Sequence, residues 1–152
     1  MKRCILAFVT LVTAACGGSS SGGSNATVTI VTPTANSTVT RDGQGNLPVT
    51  FALTNFTLRD PGQCGSLANC GHIHLRIDGT GSTCNSPFTE GGGYNNQISS
   101  GTTAQARFNF CTAPATPTGT HTITLQLHDD MHNPVVDSSG QQIQAQVAVT
   151  VQ

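Results

Sequence analysis

Four of the five histidines in this chain fall in two short segments, His72-Ile73-His74 and His128-Asp129-Asp130-Met131-His132. Imidazole nitrogens and carboxylate oxygens at such spacings are the donors that bind zinc or copper. The first segment reads Gly71-His72-Ile73-His74-Leu75-Arg76-Ile77-Asp78 and alternates as a β-strand does. Residues i and i+2 of a strand share a face, about 6.5–7 Å apart. His72 and His74 therefore project together, with Ile73, Leu75 and Ile77 on the opposite face.

The remaining sequence must supply a scaffold for these side chains. No helix-period segment follows the first sixteen residues, but period-2 runs recur between Gly, Pro and Asn clusters. They are Thr27 to Val31, Val49 to Leu53, the histidine strand at 71–78, a run through Ala106, Phe108 and Phe110, His121 to Leu127, and Ile143 to Val151. A seventh short strand fits near Thr38–Thr40. About seven strands with one apolar face each predict an all-β, immunoglobulin-like antiparallel β-sandwich spanning residues 26–152.

Sandwich topology places the histidines. In such folds the third strand, 71–78, pairs antiparallel with the sixth, 121–128. That pairing brings His72 and His74 near His128, with His132 in the following loop. His121 lies about 23 Å from His128 along the strand and falls on the apolar face with Ile123. It is expected to be a corner residue bonded to nearby backbone. The predicted metal site is thus His72, His74, His128 and His132, with Asp129 and Asp130 as an oxygen ligand, acceptors for an imidazole N–H, or simply a solvated turn. Met131 adds one soft donor, a weak pointer to copper(I).

The N-terminus reads as an address. Lys2 and Arg3, the apolar run Ile5 to Val12 and the small residues before Cys16 resemble a bacterial lipoprotein signal, with Thr13 where leucine is usual. Residues 1–15 are then removed, Cys16 is the lipidation site, and residues 16–25 form a Gly/Ser-rich tether. The chain is expected at the bacterial cell envelope, on the outer-membrane or periplasmic face, touching membrane only through its anchor.

Residues 16–152 carry four arginines, no lysine and seven acidic residues. With no basic stripe, nucleic acid is not an expected partner. Export favours disulfides among Cys64, Cys70, Cys84 and Cys111. Of three possible pairings, Cys64–Cys70 with Cys84–Cys111 is favoured, the first closing a loop just before the histidine strand. A four-thiolate metal site is the rival, but no paired C-x-x-C spacing supports it.

Several segments resemble a bacterial family of unknown function, made of exported sandwich-like domains with a histidine-rich strand. They are Ile30-Val31-Thr32-Pro33, Val49-Thr50-Phe51 with Asn55-Phe56, the strand Gly71 to Asp78, Gly119 to Leu127, and Asp129 to Pro134. The resemblance implies roles for His72, His74, His121 and His132 but not for His128. Ile73 stands where that family has a middle histidine, and Asn95 to Thr103 lacks the histidines it would carry. On His121 the resemblance and the strand period disagree, and the period excludes it from the site.

Three readings of function follow. The first is a non-enzymatic, envelope-tethered binding domain whose histidine cluster takes zinc or copper. The second is a metal-free adhesion module recognising protein or glycan. The third and weakest is a copper–zinc superoxide dismutase-like enzyme, since the bridging-histidine and zinc-loop pattern is missing. No G-x-S-x-G elbow appears, and Glu90 is the only glutamate.

Overall fold

The computed structural model describes residues 23–85, 87, 88 and 93–152. The expected signal segment 1–15 and the expected lipidation site Cys16 lie outside these residues. Two sheets face each other across the apolar faces that the alternation predicts. The smaller contains β1 (Thr27–Thr32), β3 (Asn46–Thr54) and β7 (Thr103–Arg107) in the order β1-β3-β7. The larger runs β2 (Ser37–Val39), β9 (Gln144–Val151), β8 (Gly119–Asp129), β5 (Cys70–Ile77) and β4 (Thr57–Leu58), with β6 (Asn96–Ile98) also on β5.

This is an immunoglobulin-like sandwich: the first, second and fourth of the six long strands lie in one sheet, the third, fifth and sixth in the other. The described residues hold nine strands rather than seven because β4 and β6 are two- and three-residue pieces along the edge of β5. The pairing is not wholly antiparallel. β2 runs parallel to β9, and β4 parallel to β5.

Ile73, Leu75 and Ile77 of β5 meet Ile123, Leu125 and Leu127 of β8 across the sheet, all fully buried. Val49 and Phe51 of β3 and Val149 of β9 are buried in the same core. Each such side chain contributes about 1.5–3 kcal/mol through burial. The run through Phe110 departs from a strand. β7 stops at Arg107, and Phe108–Phe110 forms a 3-10 turn, with Phe108 N–H donating to Gly45 O and Cys111 N–H to Phe108 O. The turn carries Cys111 to its partner Cys84.

Both favoured disulfides are present, Cys64–Cys70 and Cys84–Cys111. Two buried asparagines lash the chain after β5 onto the sandwich. Asn85 Oδ1 accepts from Ile77 N–H, and Asn95 Oδ1 accepts from Arg107 N–H while Asn95 Nδ2 donates to Cys84 O. Their effect is to cover the outer face of β5, so that all eight of its residues are buried.

Candidate metal centre

The register of β5 on β8 sets the site. Gly71 pairs with Asp129, His72 with His128 and His74 with Gln126, as the third-to-sixth strand pairing requires. The two chains approach so closely at Gly71 (φ 158°) that a Cβ there would collide with the His128 carbonyl oxygen. Only glycine permits the strands to meet at this point.

His132 is delivered by the turn that follows β8. Asp129 Oδ1 accepts from Met131 N–H and Asn133 N–H, both at 2.8 Å, and its Oδ2 accepts from Asn133 Nδ2. This Asx-type cap reverses the chain. His132 takes a left-handed conformation (φ 64°), uncommon for a residue with a side chain. Its ring then lies edge-on to His72, centroids 4.6 Å apart.

The result is a tight group in which one ligand atom from each of His72, His74 and His132 lies within 4.8 Å of the others. Nε2 of His72 is 3.0 Å from Nε2 of His74. A tetrahedral ion with Zn–N distances near 2.0–2.1 Å would hold its nitrogens about 3.3 Å apart, so little rearrangement separates this pair from a chelate. Both Nδ1 atoms are buried without a hydrogen-bond partner. His72 and His74 are wholly buried and His132 is half-buried.

Burial keeps His72 and His74 neutral. Desolvation, reinforced by the neighbouring imidazoles, lowers the His72 pKa to about 4 and that of His74 to about 2. His128 is also lowered, chiefly by burial and against the opposing hydrogen bond to His132. Neutral imidazole is the ligating form, so neither His72 nor His74 need expel a proton for a cation to bind at neutral pH.

His128 joins the cluster but has a different task. Its ring stacks on His74 with centroids 3.8 Å apart. Its Nδ1 lies 2.9 Å from the His132 carbonyl oxygen, which can only accept, so Nδ1 carries the proton. Nε2 is then the acceptor and faces the Gln142 amide at 3.3 Å. Gln126 Nε2 donates in turn to Gln142 Oε1. The hydrogen-bonded chain Gln126, Gln142, His128, His132 thus fixes the loop. Expected as a fourth ligand, His128 has its Nε2 facing the Gln142 amide, and the ligand atoms that gather within 4.8 Å come from His72, His74 and His132.

The acidic residues are similarly engaged. Asp129 caps the turn, its carboxyl held below the usual range by hydrogen bonds from Asn133 and Met131 that outweigh burial. Asp130 Oδ1 accepts from Cys64 N–H at 3.0 Å, tying the histidine loop to the Cys64–Cys70 loop. Met131 is 80 % exposed.

His121 sits apart at the other end of the β5–β8 pair, where Ile77 meets Ile123. Its Nδ1–H donates to Asp78 Oδ2 at 2.7 Å, and its ring packs edge-on to Phe108. The expected corner role takes a different partner, a carboxylate rather than backbone. Asp78 is the corner's pivot because its Oδ1 also accepts from Thr122 N–H.

Sequence reasoning missed Tyr94. Its ring lies 3.7 Å from that of His74, nearly parallel, and its hydroxyl donates to Gln97 Oε1. Phe88 stacks on its far side, extending the column His128, His74, Tyr94, Phe88. Gln126 and Gln142 were missed too, although period 2 puts Gln126 on the face of His128.

No family model matches the chain, and no curated protein does. Among solved structures, the fibronectin(III)-like modules of Clostridium thermocellum CbhA are similar at a TM-score of 0.43 and 12% sequence identity, over 82% of this chain and 95% of the module.

Proposed function

We propose that this is a non-enzymatic, envelope-tethered domain that binds one zinc or copper ion through His72, His74 and His132. The observation that carries the reading is the convergence of three imidazole ligand atoms within 4.8 Å. Two of them come from a strand whose partner strand and covering loop exclude water. Three histidines leave a fourth coordination position, and the half-buried His132 marks the side on which it opens. The buried, neutral pair His72 and His74 is costly to keep without a cation, because the Nδ1 atom of each ring has no hydrogen-bond partner.

The tether follows from the lipoprotein-like signal and Cys16, and places the domain at the cell envelope. The test uses the single tyrosine, in a chain without tryptophan, as a reporter stacked on His74. Copper(II) added to the purified mature protein quenches Tyr94 emission with one-to-one stoichiometry, and zinc added alone raises the melting temperature. His72→Ala with His74→Ala abolishes both effects. Submillimolar metal that changes neither emission nor melting temperature overturns the metal reading and leaves a metal-free adhesion module. Catalytic dismutation of superoxide by the copper-loaded protein would overturn the non-enzymatic reading.

A further inference from the structure

The described residues expose four large hydrophobic side chains: Val31 at 55 %, Leu67 at 55 %, Met131 at 80 % and Val136 at 39 %. Three of them, Leu67, Met131 and Val136, line a single cavity of about 460 Å³ at the histidine end of the sandwich. They come from separate segments, so their convergence is not a local accident of sequence. Leu67 stands in the loop closed by Cys64–Cys70, its N–H bonded to Cys64 O. Met131 stands on the Asp129-capped turn. Both are therefore held in place by their supports while facing water, an arrangement with no benefit to the isolated domain.

The N-terminal segment meets the domain at this same cavity. Gly23 and Ser24 line it. Ser24 N–H donates to Val136 O at 2.8 Å, and Ser24 Oγ donates to Asn69 Oδ1 at 2.8 Å. Between Ser24 and Cys16 lie only seven residues, all glycine or serine. Eight peptide steps reach at most about 29 Å when fully extended, and a Gly/Ser coil of that length averages about 16 Å. A lipid on Cys16 would therefore keep the Ser24 end of the domain within about 29 Å of the bilayer.

We infer that the Leu67–Met131–Val136 surface is a membrane-docking face, which settles onto the headgroup region of the bilayer that holds the anchor. The inference rests on the tethered-lipoprotein part of the proposed function and is independent of metal. The rim carries no lysine, and its acids Asp129 and Asp130 are committed to backbone donors. The surface therefore suits zwitterionic headgroups rather than an anionic lipid. Docked in this way, Met131 places the adjoining His132 next to the membrane.

The chain lacks tryptophan, so Leu67→Trp, Met131→Trp and Val31→Trp each install one reporter at an exposed position. Val31, seven residues along from Ser24 and outside the patch, is the control. The full-length protein is expressed, processed, and reconstituted into zwitterionic phosphatidylethanolamine/phosphatidylcholine vesicles with brominated acyl chains. The expected result is several-fold stronger quenching of L67W and M131W than of V31W. Equal quenching at all three positions, or none, overturns the docking face while the tether stands if intact mass shows lipid on Cys16. A mature chain without that lipid mass overturns the tether, and the docking face with it.

Discussion

Nε2 of His72 and Nε2 of His74 lie 3.0 Å apart, and the Nδ1 atoms of both rings are buried without partners. Two neutral imidazoles carry two N–H groups and two lone pairs. A single shared hydrogen bond leaves one of each unsatisfied, at about 1–3 kcal/mol per group. Replacing both rings with apolar side chains removes that cost along with the site. His72→Leu with His74→Leu is expected to melt at or above the temperature of the metal-free parent, and to show no further rise with zinc. A variant destabilised by more than about 2 kcal/mol would mean that the rings are satisfied in a way this geometry does not provide.

The same burial makes the metal-free protein acid-sensitive. In the unfolded chain His72 and His74 titrate near pH 6.5, whereas folding lowers them to about 4 and about 2. Below pH 6.5 the unfolded state binds protons that the folded state refuses. The contribution to stability is therefore complete above pH 6.5 and declines as pH falls toward 4 and below. Urea midpoints should drop between pH 6.5 and 4.5, ahead of the range in which Asp129, held low, takes up its proton. The double leucine variant should lose most of that slope.

His128 separates support from ligation. His128→Phe keeps a ring to stack on His74 but removes the Nδ1–H that donates to His132 O. Loss of an orienting partner typically lowers metal affinity about 10–100-fold. Zinc titration by calorimetry should find weakened, still stoichiometric binding. Abolished binding, as for the His72 and His74 alanine pair, would make His128 a ligand.

Gly71 tests whether strand approach creates the site. A methyl group there would collide with His128 O and stand 2.9 Å from Asp129 Cα, both backbone atoms that cannot swing aside. Gly71→Ala should cost about 1–3 kcal/mol as overpacking. It should also lose metal affinity, because the His72–His128 register opens. Gly43, whose Cβ position is empty, is the control, and Gly43→Ala should leave both unchanged.

What could be read from the sequence depended on local period. Alternation in Gly71 to Asp78 and His121 to Leu127 set the faces, and sandwich topology then set the pairing of His72 with His128. The three-residue strand Asn96–Ile98 and the turn Phe108–Phe110 were illegible, because tertiary hydrogen bonds from Asn95 and Gly45 make them. Tyr94 was hidden for the same reason. Its place over His74 depends on an asparagine that reaches across to β7. The ligand role expected of His128 turned on which ring nitrogen carries the proton, a choice made by the His132 carbonyl and invisible in residue types.

The two disulfides should part stability from metal binding. Cys84–Cys111 closes a separation of 27 residues and Cys64–Cys70 one of 6. By loop-closure entropy these contribute about 3.5 and about 2 kcal/mol respectively. Cys84→Ser with Cys111→Ser should therefore give the larger fall in melting temperature. Its effect on the cluster should be small, since Asn95 still bonds to Arg107 N–H and O and holds Tyr94 in place. Cys64→Ser with Cys70→Ser should do the reverse. Cys64 N–H and Gly62 N–H both donate to Asp130, the residue two before His132. Freeing that loop lets His132 withdraw, so zinc affinity should fall several-fold despite the smaller loss of stability. Equal affinity in both variants would show that the Asp130 contacts do not position His132.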